Sequence, residues 1–241
     1  MKPRKLFASE SPDDDNRLTP LAERMRPRTF DELMGQESLL APGQPLREAI
    51  SRDALQSIIL WGPPGTGKTT LARLIATMTR ARFIAFSAVF SGVKEIRSVM
   101  AEAETIRRHE GQRTILFVDE IHRFNKAQQD AILPYVEDGT VTLVGATTEN
   151  PYFEVIAPLL SRVRILKLNP LSAIHIGQIL DRALSEKGQG LGDTELAVSD
   201  EARAFIEDRC GGDARIALNW LDAAAELAMD DGVKIIELDT V

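Results

Sequence analysis

Cysteine is almost absent from the 241-residue chain, since Cys210 is the single one. That excludes an internal disulfide and a cysteine-rich metal site, and its place in an apolar helical stretch reads as buried packing. Histidine is nearly as scarce: His109, His122 and His175 stand singly and form no cluster that could hold a metal. No apolar run approaches the roughly 18 to 20 residues of a membrane span. Residues 1–20 are polar and acidic, unlike a secretory signal, so a cytoplasmic location with no membrane partner is expected. Positive charge is also short, with 29 Lys and Arg against 36 Asp and Glu and a net charge of −7. Such a balance ordinarily speaks against nucleic acid, because phosphate contacts supply much of that affinity. The charge is uneven, however. Acids gather at Asp13–Asp15 and from Asp222 to Asp239, while Arg24, Arg26, Arg28, Arg107, Arg108 and Arg113 gather elsewhere. A solvated face is the default for either arginine cluster.

What is present is 44% hydrophobic residues, enough for one large α/β domain and a smaller one. The most informative stretch runs from Ser57 to Thr70. Four mostly apolar residues, Ile58 to Trp61, lead into Gly62-Pro63-Pro64-Gly65-Thr66-Gly67-Lys68-Thr69, with Thr70 next. This fits the G-x-x-x-x-G-K-S/T phosphate-binding loop at every fixed position, in the strand–loop–helix context the motif requires. The glycines let successive backbone N–H groups turn inward toward phosphate oxygens. Lys68 then lies on the β- and γ-phosphates. Thr69 opens a helix over about 68–78 whose N-terminus faces the anion and whose hydroxyl can ligate Mg²⁺.

Along the chain, residues 1–17 lack an apolar period and read as a disordered leader. In residues 18–36, Pro27 breaks any helix and Thr29 or Asp31 can cap a short one that stops at Gly35-Gln36. A helix is expected from Pro45 to about Asp53. After the loop and its helix come a strand at 82–87, a helix at 92–109, an apolar strand at 114–118, a helix at 125–136 and a strand at 140–145. A turn or short helix at 158–161 and a strand at 163–168 follow. This alternation predicts a doubly wound, largely parallel α/β sheet over residues 18–169. From Asn169-Pro170 the pattern is helical only. Three helices, begun by Ser172, Ser199 and Asp213 with Gly211-Gly212 ending the second, predict a small helical lid domain over 170–241.

The second motif is Ile115-Leu116-Phe117-Val118-Asp119-Glu120, a strand ending in two carboxylates. Ligands bind beyond the carboxyl ends of parallel strands, which brings this pair beside the phosphate loop. Asp119 suits Mg²⁺, and Glu120 suits orienting and deprotonating a water that attacks the γ-phosphate. Thr148, at the end of Val144-Gly145-Ala146-Thr147-Thr148, can sense that phosphate or hold the water, although polar residues often simply end strands. Arg162, after Leu160-Ser161, can reach a neighbouring subunit's nucleotide as an arginine finger, or form a surface salt bridge.

Together with Asp119-Glu120-Ile121-His122, Gly145-Ala146-Thr147-Thr148-Glu149-Asn150-Pro151 and Ser161-Arg162, the loop resembles AAA+ ATPases of the clamp-loader clade. The runs Arg123-Phe124-Asn125-Lys126-Ala127-Gln128-Gln129-Asp130 and Leu133-Pro134-Tyr135-Val136-Glu137-Asp138-Gly139 are similar to the replication-associated recombination protein A family, relatives of the Werner-interacting ATPase. The resemblance covers about residues 18–241. It implies a P-loop AAA+ fold and a Mg²⁺-dependent, DNA-stimulated ATPase acting at stalled or damaged replication forks. It also implies that Arg24, Pro27 and 30–36 pack on adenine, that Thr148 is sensor 1, that Arg162 acts in trans, and that Arg215 in Gly212-Asp213-Ala214-Arg215 is sensor 2. The implied partners are DNA that is fork-like or has free ends, single-strand-binding and other replication proteins, and further copies of the chain. Family members continue beyond the position of Val241 into a helical region that forms the homo-oligomer, so this chain is expected to be the ATPase core. The rivals are a clamp-loader subunit or branch-migration motor, and a non-hydrolysing ATP-dependent scaffold. The absence of a zinc module after the loop disfavours the bacterial clamp-loader motor subunit, and Glu120 with Arg162 disfavours the scaffold.

Overall fold

Strands and helices alternate along the chain as the periodicity predicts. A computed structural model describes residues 19–87 and 92–241, and the expected leader lies outside the described residues. In chain order come α1 (Leu21–Arg24), α2 (Glu37–Leu40), α3 (Pro45–Ser51), β1 (Ile58–Trp61), α4 (Lys68–Met78), β2 (Arg82–Ser87), α5 (Val93–Glu110) and β3 (Thr114–Asp119). They are followed by α6 (Lys126–Glu137), β4 (Val141–Thr147), α7 (Pro151–Glu154), α8 (Ala157–Leu160) and β5 (Arg164–Lys167). The remainder holds α9 (Ala173–Ser185), β6 (Ala197–Val198), α10 (Asp200–Arg209), α11 (Ala214–Asp230) and β7 (Ile235–Ile236). No helix among the described residues is long and apolar enough to cross a membrane.

The chain divides into two compact units. The first comprises residues 36–62 and 67–168 and contains a parallel sheet of order β2-β3-β4-β1-β5. Residues 115–118 of β3 are all buried because such a sheet is covered on both faces. Alternate side chains go to opposite faces. Leu116 and Val118 join Ile96, Val99 and Met100 of α5 and Ile132 of α6 in one cluster. Ile115 and Phe117 are buried outside that cluster, and α4 packs on β3 and β4. Each such buried side chain contributes about 1.5–3 kcal/mol relative to exposure. The register pairs Trp61 with Thr147 and Ser87 with Asp119, so β1 ends level with β4, and β2 with β3. Gly62, Glu120 and Thr148 are thereby delivered to one edge of the sheet.

The second unit comprises the described residues up to Gly35, then 63–66 and 169–241. The sequence reading counts residues 18–35 with the sheet, whereas the described part of that span, 19–35, groups with the helices. Leu21 and Met25 are buried in a cluster with Ile176, Leu180, Ile206, Leu218 and Leu221. The Leu21 N–H donates to Asp222 (2.8 Å) and the Arg24 guanidinium to the Gln189 carbonyl (2.8 Å). The expected short helix after Thr29 or Asp31 is not formed. Glu32 instead accepts from the Arg28 N–H (3.0 Å) and the Thr29 hydroxyl (3.4 Å), which holds this stretch in turns and competes with helix. The helical-only reading of residues 170–241 also needs correction. Ala197–Val198 and Ile235–Ile236 form a two-stranded parallel ladder, too short to leave a period in the sequence. Cys210 is buried, 3% exposed, at the end of α10.

α9 and α10 are tied at their surface by a fork. Arg203 donates to both oxygens of Asp181 (2.5 and 2.9 Å) and to Glu207 (2.8 Å). Hydrogen bonds from Arg203 hold the Asp181 carboxyl below the usual carboxylate range, against the opposing effect of partial burial. A carboxyl whose folded pKa is depressed adds stability above the usual carboxylate range and loses it as pH falls through the lowered value. Since Asp181 is 57% exposed, solvent screens the pair, and about 0.5–1 kcal/mol is expected. Arg203→Ala should lower the melting temperature by about 1–3 °C at pH 7. Melts at pH 3 should show a smaller gap.

Candidate functional site

β1 ends at Trp61, and residues 62–67 turn the chain into α4. Gly65 and Gly67 have φ of +70° and +93°, a region that a Cβ disfavours, so the turn depends on glycine at both. Gly67 is the N-cap of α4, whose first N–H groups have no partner within the helix and whose dipole favours an anion there. Lys68 is only 8% exposed, and its Nζ donates to the Gly62 carbonyl (2.7 Å). Holding an ammonium out of water costs free energy that an anionic ligand would offset.

Residues 63–66 group with the second unit. The Thr66 hydroxyl donates to the Pro63 carbonyl (3.0 Å) and tightens the turn. Within that unit the loop lies against the start of α11, since a Cβ on Gly65 would fall 2.6 Å from the Cα of Asp213. Asp213 caps α11, its carboxylate accepting from the N–H groups of Arg215 (2.8 Å) and Ile216 (3.2 Å).

In the first unit, the hydroxyl of Thr69 lies 3.4 Å from Asp119 Oδ2 at the end of β3. These residues are 50 apart in sequence and meet because α4 starts where β3 stops. Glu120, the next residue, has φ of +52°, the left-handed region, uncommon for a side chain of this size. Non-glycine residues held there gather at functional sites. A hydroxyl and a carboxylate form an all-oxygen donor set of the kind Mg²⁺ takes. Among the described residues no three His, Cys, Asp or Glu side chains come together as a metal site. An ion at Asp119 would thus complete its shell from Thr69, water and phosphate oxygens, which is how Mg²⁺ is usually held.

The profile of the family described as "ATPase family associated with various cellular activities (AAA)" matches residues 58–171, the span from β1 through the strand-end residues to the entry of α9. The chain belongs to the AAA+ ATPases. It is RarA-like: replication-associated recombination protein A of Escherichia coli K12 is 52% identical over 221 residues, 91% of this chain and 49% of that protein. "ATPase WRNIP1" of Dictyostelium discoideum is 43% identical over 86% of this chain and 23% of its own length. The chain thus spans about half the length, or less, of these curated relatives. Among solved structures, the Thermotoga maritima RuvB Holliday junction branch migration motor superposes with a TM-score of 0.72 at 30% identity, covering 90% of this chain and 70% of that one.

In this AAA+ chain, Lys68, Thr69, Asp119 and Glu120 come together at one edge of the sheet. Thr148 follows directly on β4 and is half-buried. Arg162 is exposed and turned to its own unit, paired with Glu137 (2.9 Å) and donating to the Pro158 carbonyl (3.2 Å). This is the surface salt bridge that spacing alone favours. Arg215 is exposed on the first turn of α11.

Three residues that sequence reasoning passed over complete the edge. Thr147, fully buried, places its hydroxyl 3.0 Å from His122 Nδ1 and accepts from the Glu149 N–H (3.0 Å). His122 Nδ1 also lies 3.2 Å from Glu120 Oε2. Gln129, 2% exposed, donates to the carbonyls of Phe124 (3.0 Å) and Glu154 (2.9 Å) and accepts from the Ile156 N–H (2.9 Å), fixing the segment that leads to Arg162. Only the polarity of a buried glutamine on the apolar face of α6 could have signalled the last.

Proposed function

We propose that this chain is the Mg²⁺-dependent, DNA-stimulated ATPase core of a protein acting at stalled or damaged replication forks. The observation that carries the reading is the meeting of Thr69 and Asp119 beside buried Lys68, with Glu120 next in the chain. Residues 62–70 bind the phosphates of ATP. Lys68 neutralises the β- and γ-phosphates, and Thr69 and Asp119 hold Mg²⁺. Held by Thr69 and Asp119, Mg²⁺ would supply positive charge that offsets the negative charge of the phosphate oxygens. Glu120 orients the attacking water and takes its proton. Thr148 bonds the γ-phosphate side, and Arg215 takes the sensor 2 role that the family resemblance implies. Arg162 serves a neighbouring copy's nucleotide, exchanging its partner Glu137 for the transition-state charge. The replication setting and the DNA partner are supported by the relatives' names.

ATPase rate measured against protein concentration, with and without DNA carrying free ends, tests this. A rate per chain that rises with both concentration and DNA is expected of the full-length protein. Mixing Arg162→Ala with Glu120→Gln should restore activity that neither has alone, because each supplies what the other lacks. A rate indifferent to DNA would overturn the fork reading, and nucleotide bound but never turned over in the presence of DNA would favour the scaffold. The likeness to RuvB supports a second reading, a branch-migration motor. Stimulation by a four-way junction well above that by free-ended duplex would favour it.

A further inference from the structure

We propose that His122 is a positioning residue: its Nδ1–H aims the Glu120 carboxylate and links it, through the Thr147 hydroxyl, to the end of β4. The proposal rests on the reading of Glu120 as the group that activates water.

His122 sits in a single 3₁₀ turn, residues 121–123, anchored by fully buried Ile121. Its side chain is 17% exposed, so few of its contacts are shared with solvent. Nδ1 has two oxygens within reach, Thr147 Oγ1 at 3.0 Å and Glu120 Oε2 at 3.2 Å. The tautomer follows from electrostatics. A bare Nδ1 would aim its lone pair at a carboxylate oxygen, which is repulsive, so the proton belongs on Nδ1 and the ring donates.

One proton cannot serve two acceptors well. Although Glu120 Oε2 lies at ion-pair distance, among the described residues it accepts no well-aligned hydrogen bond, and the atom itself is buried. The aligned bond is the one to Thr147. A buried carboxylate oxygen without a donor is costly, and a small turn of the imidazole would satisfy it. The backbone of Glu120 leaves little other means of adjustment, because its φ of +52° is already held in an uncommon region.

Thr147 makes this more than a local contact. It is the last residue of β4, paired with Trp61, and its hydroxyl accepts from the Glu149 N–H and lies 3.3 Å from the Glu149 carbonyl. Thr148 lies within that small turn. A shift of the turn when Thr148 meets a γ-phosphate changes how firmly Thr147 holds Nδ1–H, and so whether the proton is offered to Glu120. His122 would pass the state of the β4 edge to the carboxylate across one hydrogen-bond fork.

The experiment compares His122→Asn, His122→Phe and Glu120→Gln for kcat, KM for ATP and equilibrium nucleotide binding. Asn places an N–H donor near the position of Nδ1, whereas Phe fills the space without one. His122→Phe is expected to lower kcat by about 10- to 100-fold, the scale of a misaligned catalytic group, with KM and nucleotide binding unchanged. His122→Asn should recover most of that loss. Thr147→Val, which keeps the shape and removes the hydroxyl, should also lower kcat with KM unchanged. Wild-type kcat in His122→Phe beside an inactive Glu120→Gln would overturn the proposal and leave the reading of Glu120 intact. Equal losses in Asn and Phe would overturn it too, since space filling would then be the role. Turnover by Glu120→Gln at the wild-type rate would remove the underlying reading, and the proposal with it.

Discussion

Glu120→Gln should bind ATP as the unchanged protein does and hydrolyse it about 10²- to 10⁴-fold more slowly, the usual worth of a positioned general base. The substitution is nearly isosteric, and Glu120 is only partly buried, its side chain 38% exposed, so the fold should persist. The phosphate loop, Lys68 and the Thr69–Asp119 pair stay in place, which is why ground-state binding survives. What is lost acts only as the water attacks: an amide cannot take its proton. An effect confined to the transition state lowers kcat and kcat/KM together. Phosphate release at saturating ATP, measured beside equilibrium binding of a fluorescent nucleotide, separates the two. Hydrolysis at the wild-type rate would remove Glu120 from the chemistry.

The parts legible in the sequence are those whose physics is local. The loop could be read because one covalent run carries its glycines, its lysine and its hydroxyl, and the bounds of α4 agree with the expected residues. β3 could be read because burial on both faces demands an unbroken apolar run. Thr147 and His122 are 25 residues apart, and their contact depends on how the end of β4 meets the turn after β3, which neither stretch carries in itself. Both Thr147 and Thr148 end the expected strand in hydroxyls, and Thr148, at its very edge, draws the attention. The grouping of residues 19–35 with the helices is illegible for a related reason. Leu21 and Met25 are apolar anchors, but nothing in a segment this short says which core they enter. The pairing of Arg162 with Glu137 joins two elements whose approach is a tertiary fact, although the salt bridge itself was the ordinary expectation for an exposed arginine. Composition could not weigh any of these contacts, because each involves only one or two side chains in a chain whose totals are unremarkable.

Lys68→Ala should separate binding from stability in the opposite sense to most buried substitutions. Nucleotide affinity should fall by at least about 100-fold, because charge-assisted hydrogen bonds to phosphate contribute roughly 1.5–3 kcal/mol each and the ammonium provides more than one. The fold should lose little. Lys68 is buried at 8% exposure with its Nζ donating to a neutral carbonyl, and a buried charge is stabilising only when its environment compensates for lost hydration. Removing it takes away that hydrogen bond, about 1 kcal/mol, together with the ammonium's other interactions, and relieves a desolvation cost that offsets them. Helix propensity points the same way, since alanine is at least as favourable as lysine at the first turn of α4. The melting temperature without nucleotide should therefore stay level or rise, while the increase that ATP gives the unchanged protein disappears. Thermal melts with and without nucleotide read both quantities on one sample. A variant that melts several degrees lower in the absence of nucleotide would show that Lys68 supports the loop's structure and does more than wait for a phosphate.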